Sequence, residues 1–206
     1  MNRPFRIVPK APTTGTSLPS PILILGPAHS GKSELAHGFL DATQPATIIG
    51  TGTLDDPWIA KRVAELQSQR PPHWPAVLCE RELVSALQAF TMKAQQILVD
   101  SLNLWLGAVA AQLDQKQTFE ESEQTINRQV DGLIHYLTES PARMAESKGR
   151  MVLVSAESGA GGPPPRQIDR IFRLGLGLLN RRLAAFCPTV VLVSAGIPLV
   201  IKGPKA

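Results

Sequence analysis

The chain has 206 residues, of which 43% are hydrophobic and 18% are charged, as in an ordinary globular domain with a buried core. Its net charge of +4 is modest and no dense block of Lys and Arg occurs, so we expect no nucleic-acid partner. No apolar run approaches the roughly 18 residues of a membrane-spanning helix, and no secretion signal is recognisable. We therefore expect a cytoplasmic protein without a membrane span, in which Cys79 and Cys187 are reduced and buried.

The start of the chain differs in composition from the rest. Residues 1–20 carry four prolines together with several Ser and Thr residues. Such a composition is typical of segments that do not pack into a core. We predict a flexible leader over residues 1–20, followed by a single domain over residues 21–206.

Short apolar runs then alternate with stretches of helical periodicity. The runs have the character of strands that are buried on both faces of a sheet, and they lie at residues 22–25, 46–49, 97–99, 151–155 and 190–193. Because strands alternate with helices along the chain, we predict an α/β fold in which helices cover both faces of a parallel sheet.

Two long helices are predicted in the second half of the chain. Residues 118–147 begin with Thr118 and Glu121 at the spacing of a capping box, and their apolar stripe consists of Ile126, Val130, Leu133, Ile134 and Leu137. Residues 167–186 carry a similar stripe of Ile168, Ile171, Phe172, Leu179 and Leu183. Between a strand and the second of these helices, residues 159–165 are rich in Gly and Pro. They predict a loop at the carboxyl edge of the sheet, where open α/β folds bind ligands.

The first apolar run leads into a segment with the pattern Gly-x4-Gly-Lys-Ser. Its residues are Gly26, Pro27, Ala28, His29, Ser30, Gly31, Lys32 and Ser33. Glycines let backbone N–H groups approach phosphate oxygens closely, and the helix that follows directs its positive end at them. Lys32 supplies a cation for the β- and γ-phosphates, and Ser33 supplies a hydroxyl for Mg²⁺. The segment predicts a P-loop that binds the phosphates of ATP or GTP in a P-loop NTPase-like domain.

A carboxylate at the end of a neighbouring strand would complete a magnesium site. Asp100 directly follows the apolar run 97–99 and has this position. We predict that Ser33 and Asp100 hold Mg²⁺, with helix capping as the alternative role of Asp100. Asp55 and Asp56 precede a proline, which favours the cap and first turn of a helix.

Several segments, taken in order, carry a resemblance to a known family. They are residues 26–33, Asp55-Asp56 with Arg62-Val63, Arg70-Pro71-Pro72-His73-Trp74, and residues 98–106, 154–159, 179–184 and 195–199. Over most of its length the chain resembles the bifunctional adenosylcobinamide kinase / adenosylcobinamide-phosphate guanylyltransferase family of cobalamin biosynthesis. The resemblance implies a short P-loop kinase that assembles as a homotrimer. It also implies two reactions: a nucleoside triphosphate phosphorylates the aminopropanol hydroxyl of the corrinoid, and GTP then donates GMP by way of a histidine.

The resemblance further implies which residues of this chain form the site. Besides the P-loop, the nucleotide-binding residues would be Gly50, Thr51, Gly52, Arg70, Glu80 and Asp100. The catalytic residues would be Lys32, Asp100 and Glu157. ATP or GTP and adenosylcobinamide would be the substrates, and Mg²⁺ the cofactor.

The chain departs from the family at the position of the guanylylated histidine. Counted from Arg62 and back from Arg70, that position is Leu66, and a leucine side chain has no lone pair with which to attack phosphorus. His73 lies nearby, but its proline-rich surroundings favour a surface position beside Trp74. The family's Asn-Glu-Val-Gly is replaced by Ala-Glu-Ser-Gly at residues 156–159, and residues 161–165 form a stiffer loop than the family has.

Three hypotheses follow from these departures. The first is a kinase that has lost guanylyl transfer, because phosphoryl transfer depends on positioning and charge and needs no covalent side chain. The second is a nucleotide-binding regulatory or scaffold protein without turnover, which the altered Ser158 and the Gly-Pro loop at residues 161–165 favour, whereas the intact Lys32, Ser33, Asp100 and Glu157 favour catalysis. The third is a kinase for some other alcohol. Addition of cobinamide to the protein with a triphosphate would distinguish them.

Overall fold

The computed structural model describes residues 18–52, 55, 57–68, 70–91, 96–114, 116–139, 149–159 and 161–204. Over these residues the chain forms seven strands and six helices. The strands are β1 (Ile22–Gly26), β2 (Ala46–Gly50), β3 (Ala76–Leu78), β4 (Gln96–Asp100), β5 (Arg150–Ala156), β6 (Thr189–Ser194) and β7 (Ile197–Lys202). The helices are α1 (Lys32–Gly38), α2 (Pro57–Gln67), α3 (Leu83–Thr91), α4 (Leu102–Ala110), α5 (Phe119–Glu139) and α6 (Gln167–Phe186).

All seven strands join one sheet in the order β3-β2-β4-β5-β1-β6-β7. The first six pair in parallel, and the five predicted strands are confirmed, each extended by one residue at one or both ends. The sheet is not wholly parallel, because β7 pairs antiparallel with β6. A tight turn at Ala195 and Gly196, both with positive φ, joins these two strands, and a turn this short reverses the chain.

Helices cover both faces of the sheet, as predicted. Alternate residues of each strand point to opposite faces, so Leu23 and Leu25 belong to one core and Ile22 and Ile24 to the other. The larger core packs against α3, α4, α5 and α6, and Trp105 is its largest fully buried side chain. The smaller core packs against α1. The carboxyl ends of the parallel strands are thereby left open between the two helical layers.

The two long helices agree with their sequence patterns. Thr118 and Glu121 form a reciprocal capping box at the start of α5: the N–H of Glu121 donates to Thr118 Oγ1 (3.2 Å), and the N–H of Thr118 donates to Glu121 Oε2 (2.9 Å). Ile134 is partly buried, and the rest of the predicted stripe is fully buried. Residues 140–147, the predicted end of this helix, lie outside the described residues. Helix α6 has the bounds that the sequence predicted.

The described part of the predicted leader contacts the sheet. Leu18 is buried in the smaller core, and the Thr189 hydroxyl donates to the carbonyl of Pro19 (2.7 Å). Residues 1–17 lie outside the described residues. Cys79 and Cys187 are both buried free thiols, as expected. Within the described ranges, none of the helices combines the length and the apolar character that crossing a bilayer requires.

Candidate nucleotide-binding site

The glycine-rich segment forms a loop between β1 and α1, and its backbone requires the glycines. Gly26 has φ 157°, and a Cβ atom there would lie 2.3 Å from the carbonyl oxygen of Val193. Gly31, with φ 92°, directly precedes α1. The carbonyl of Ser30 accepts from the N–H of Gly196 (3.1 Å), so the β6–β7 turn holds the loop from behind. Neighbouring backbone thus helps to fix the loop.

Lys32 lies across this loop. Its ammonium group donates to the carbonyl of Pro27 (2.6 Å), five residues earlier. A side chain folded back in this way keeps its charge over the loop, where phosphates would lie, and does not extend it into solvent.

Ser33 and Asp100, the predicted metal ligands, are in contact. The Ser33 hydroxyl donates to Asp100 Oδ1 (3.2 Å), although 67 residues separate them in sequence. Asp100 ends β4, and Ser33 lies in the first turn of α1. Among the described residues no cluster of three or more His, Cys, Asp or Glu side chains could hold a metal ion. A hydroxyl and a carboxylate fit Mg²⁺, which takes one or two protein oxygens and completes its shell with phosphate and water.

A cleft of about 200 Å³ opens above the loop. Its walls include residues 28–34, Asp100, Asn103 and Leu66. Leu66 comes from α2 and is only 6% exposed, so this position faces the phosphate loop with an apolar side chain. Pro27 and Gly26 shape the loop from below and are not part of the cleft wall.

A smaller cavity of about 40 Å³ adjoins this cleft through Leu66 and Asp100, and it contains Arg70 and Gly50. Burial lowers the pKa of the Arg70 guanidinium, and the nearby charge of Asp100 acts in the opposite direction. The Nη1 atom of Arg70 is buried and has no hydrogen-bond partner among the described residues. An anion in this cavity would therefore meet a guanidinium with an unused donor.

Sequence reasoning missed one imidazole near Leu66. His73 is exposed beside Trp74, with ring centroids 6.3 Å apart, as expected of a surface residue. His37, however, lines the small cavity together with Leu66 and Arg70. The sequence did carry the signal, because His37 lies four residues after Ser33 and therefore on the same face of α1.

A third cavity, of about 540 Å³, lies along the carboxyl ends of β2 and β3. It contains three of the predicted nucleotide-binding residues, Thr51, Gly52 and Glu80, and Asp55 is also in its wall. Asp55 precedes α2, which begins at Pro57 as the Asp-Asp-Pro pattern predicted; Asp56 lies outside the described residues. The cavity and the phosphate cleft share Asn103 and Leu104, which the sequence analysis had not singled out.

Two asparagines hold the end of β5 beside the loop. Asn103 Oδ1 accepts from the N–H of Ala156 (3.1 Å), and Asn180 Nδ2 donates to the carbonyl of Ala156 (2.9 Å). The next residue, Glu157, donates its N–H to the carbonyl of Gly26 (2.9 Å). The Glu157 side chain is exposed and lines none of the three cavities, so the backbone of this residue makes the contact with the phosphate loop.

Proteins with such a loop between a central parallel strand and the helix after it form the P-loop class of nucleotide-binding proteins, and the fold and the site put the chain in that class. Residues 22–201 match the family described as cobinamide kinase / cobinamide phosphate guanyltransferase, and the chain belongs to this family of kinases and nucleotidyltransferases of cobalamin biosynthesis. The resemblance inferred from the sequence segments is thereby confirmed.

The chain is also similar to characterised members of the family. It is 31% identical to the bifunctional adenosylcobalamin biosynthesis protein CobP of Pseudomonas aeruginosa, over 88% of this chain and 96% of that protein. It is 31% identical to the bifunctional adenosylcobalamin biosynthesis protein CobU of Salmonella typhimurium, over 88% of this chain and 99% of that protein. It is 29% identical to the bifunctional adenosylcobalamin biosynthesis protein CobU of Escherichia coli, over 88% of this chain and 99% of that protein.

Proposed function

We propose that this protein transfers a phosphoryl group from ATP or GTP to the hydroxyl of adenosylcobinamide, with Mg²⁺ as cofactor. The observation that carries the proposal is the hydrogen bond from Ser33 Oγ to Asp100 Oδ1, at the mouth of a loop that Lys32 crosses. This arrangement supplies the positive charge and the metal ligands that phosphoryl transfer needs.

Each residue has a role that its surroundings support. Lys32 binds the β- and γ-phosphates, because its ammonium group already lies over the loop. Ser33 and Asp100 hold Mg²⁺, which neutralises charge on the phosphate oxygens when bound. Glu157 follows β5 at the open edge of the sheet, where the acceptor hydroxyl must approach, and we assign it to orienting that hydroxyl.

The remaining nucleotide-binding residues are assigned to the two cavities beside the phosphate cleft. Gly50 and Arg70 line the smaller cavity, where the Arg70 guanidinium would meet a phosphate oxygen. Thr51, Gly52 and Glu80 line the larger one. Both cavities adjoin the cleft over the loop, so a single nucleotide could extend from the loop into either of them.

Guanylyl transfer through a histidine is a separate question, because the relatives are named as bifunctional. By the resemblance, Leu66 would stand at the family's histidine position, and its apolar side chain lines the phosphate cleft. We therefore propose that no guanylyl-enzyme forms at this position.

The test of the kinase proposal is triphosphate consumption with and without cobinamide. We expect consumption to depend on cobinamide and to fall by about a hundredfold or more in Lys32→Ala, because the transition-state charge loses its cation. Lys61→Ala, which changes an exposed lysine of α2, should behave like the parent protein. Nucleotide binding without cobinamide-dependent turnover would favour a regulatory or scaffold protein instead.

The test of the guanylyl proposal uses GTP labelled at the α-phosphate, with acid-labile, alkali-stable label on the protein as the readout. We expect no label on the parent and some label on Leu66→His, which restores an imidazole at the cleft. Label on the parent would overturn the proposal. Its loss in His37→Ala or His73→Ala would then identify the nucleophile.

We also propose the homotrimer and the cytoplasmic location that the resemblance implies. The trimer is supported by the apolar side chains that β7 exposes at the edge of the sheet: Ile197 is 70%, Leu199 59% and Ile201 54% exposed. Light scattering on the purified protein measures the mass directly. A monomer at micromolar concentration would contradict the trimer.

A further inference from the structure

The connection between β5 and α6 begins at the phosphate loop. Glu157 donates its N–H to the carbonyl of Gly26 (2.9 Å), and its Oε1 atom accepts from the N–H of Gly159 (3.1 Å). The place of the Glu157 carboxylate is therefore coupled to the path that the chain takes through the glycines after it. A side chain that holds these glycines in place therefore also holds the carboxylate of Glu157 in place.

The guanidinium of Arg173 is surrounded by carbonyl oxygens of this connection. Its Nη1 donates to the carbonyl of Gly162 (2.6 Å), and its Nη2 donates to the carbonyls of Gly161 (2.8 Å) and Gly159. Bonds from an ionised donor are about twice as strong as those between neutral groups. Three of the five N–H donors of this arginine are thus directed at backbone 11 to 14 residues earlier in the chain.

Helix α6 holds the connection at both ends as well. Asn180 Nδ2 donates to the carbonyl of Ala156, where the connection begins, and Arg170 Nη2 donates to the carbonyl of Pro165 (2.8 Å), where it ends. Arg173 lies between these two contacts and holds the glycines that follow Glu157.

We propose that Arg173 is a positioning residue: from α6 it fixes Gly159, Gly161 and Gly162, and thereby holds the carboxylate of Glu157, whose backbone contacts the phosphate loop. Three donors of this arginine contact carbonyls of the connection, whereas a phosphate ligand would direct its donors at the phosphate loop. The effect on the acceptor rests on the proposed kinase function, whereas the geometry of the loop does not.

Two adjacent glycines allow the loop to be disturbed without a change to Arg173. Gly161 has φ 97°, and a Cβ atom there would meet nothing within 4 Å, so Gly161→Ala introduces backbone strain without a clash. Gly162 also has open space around a Cβ atom, and its φ lies outside the left-handed region. Gly162→Ala is therefore a matched control that keeps the carbonyl which Arg173 contacts.

The experiment compares Arg173→Ala, Arg173→Lys and Gly161→Ala with the parent, and uses Gly162→Ala and Arg181→Ala, an exposed arginine of α6, as controls. The first readout is amide hydrogen exchange at Glu157 and Gly159, which needs no activity. We expect exchange about tenfold faster or more in the three test variants, and unchanged in the controls. Arg173→Lys belongs with the test variants because a single ammonium nitrogen replaces the two guanidinium nitrogens that contact the three carbonyls.

The second readout is cobinamide-dependent turnover. We expect kcat to fall about tenfold in the three test variants while the KM for the triphosphate stays at the parent value, because the phosphate loop is not altered. The double variant Arg173→Ala/Gly161→Ala should be no slower than either single variant, since both changes act on one loop. A thermal melt of each variant separates this loss from a loss of folded protein.

Three outcomes would overturn the inference. Unchanged exchange at Glu157 and Gly159 would show that Arg173 does not position the loop. Parent-like turnover in Arg173→Lys would show that only the charge matters, as for a phosphate ligand. A raised KM for the triphosphate in the test variants would likewise show that Arg173 acts as a phosphate ligand. If the parent protein does not phosphorylate cobinamide, the proposed function fails, and amide exchange alone then decides whether Arg173 positions the loop.

Discussion

The proposed metal site depends most on the carboxylate of Asp100. Asp100→Asn keeps the size of the side chain and an oxygen that can accept from Ser33, but removes the negative charge. We expect the Mg²⁺ concentration for half-maximal nucleotide binding to rise by about tenfold or more, because a hard cation prefers an anionic oxygen. The measurement is a magnesium titration at fixed nucleotide. Asp114→Asn, an exposed carboxylate after α4, is the control, and overlapping curves for Asp100→Asn and the parent would assign Asp100 to capping.

The buried thiol of Cys187 makes stability depend on pH in the alkaline range. Burial raises the pKa of Cys187 from 9.0 to about 12 in the folded protein. Between these values the unfolded chain releases the thiol proton and the folded protein retains it, so the free energy of unfolding falls as pH rises from about 9 to 12. The slope from this group approaches about 1.4 kcal/mol per pH unit.

Cys187→Ala tests this dependence. Urea unfolding at several pH values between 8 and 11 should give a steeper alkaline decline for the parent than for the variant. The variant is expected to be less stable at neutral pH, because a fully buried side chain is shortened. Parallel lines for the two proteins would show that the thiol is not the group responsible.

At the residue scale, the sequence predicted the parts of the candidate site that lie at the ends of buried strands. The P-loop and its partner Asp100 follow strands whose apolar runs are unmistakable, and parallel strands bring their carboxyl ends to one edge. Asn103, Asn180 and Arg173 were not predicted, because each acts by contacting backbone that only the tertiary fold brings close. No spacing rule in the sequence reports such contacts.

Among the elements, the contact between α5 and α6 depends on one glycine. A Cβ atom at Gly175 would lie 2.3 Å from Ile126 Cγ2 and 3.5 Å from Leu106 Cδ2. We expect Gly175→Ala to lower the free energy of unfolding by about 1–3 kcal/mol, because the side chains around it must shift in a filled core.

Gly177 supplies the matched control, since it lies one half-turn further along α6 with nothing within 4 Å of a Cβ atom. Gly177→Ala should raise the free energy of unfolding by up to about 1 kcal/mol, because alanine favours the helix. Urea unfolding of both variants gives the comparison. Equal effects of the two substitutions would mean that the helices are not in the close contact described.

The two strands that the sequence analysis missed both lie at an edge of the sheet. Strand β3 has three residues and lies at one edge of the sheet with partly exposed side chains, so it shows no long apolar run. Strand β7 contains Pro198, which disfavours a strand within a sheet. Its apolar residues are exposed, although an apolar run in a sequence is expected to be buried. The central strands, buried on both faces, were predicted because their environment leaves little choice of residue.

At the scale of the whole molecule, the open carboxyl edge of the sheet is where several separate parts of the chain meet. The phosphate loop is held by the β6–β7 turn through Ser30, and by the start of the β5–α6 connection through Gly26. The wall of the cleft contains residues of α1, α2, β4, α4 and β5, and none of these elements supplies the whole site. A ligand bound there would contact parts of the chain that unfolding separates.

Nucleotide with Mg²⁺ should therefore stabilise the whole fold. A ligand at one hundred times its Kd adds about 2.7 kcal/mol to the free energy of unfolding when it binds only the folded state. For a chain of this size each kcal/mol raises Tm by about 2–4 °C, so the expected shift is about 5–10 °C. Thermal melts with and without nucleotide, each with Mg²⁺ or a chelator, measure it. The shift should nearly vanish in Lys32→Ala and shrink without Mg²⁺, whereas Leu66→His, which alters the opposite wall of the cleft, should keep most of it. An equal shift in Lys32→Ala would mean that the nucleotide binds somewhere other than the phosphate loop.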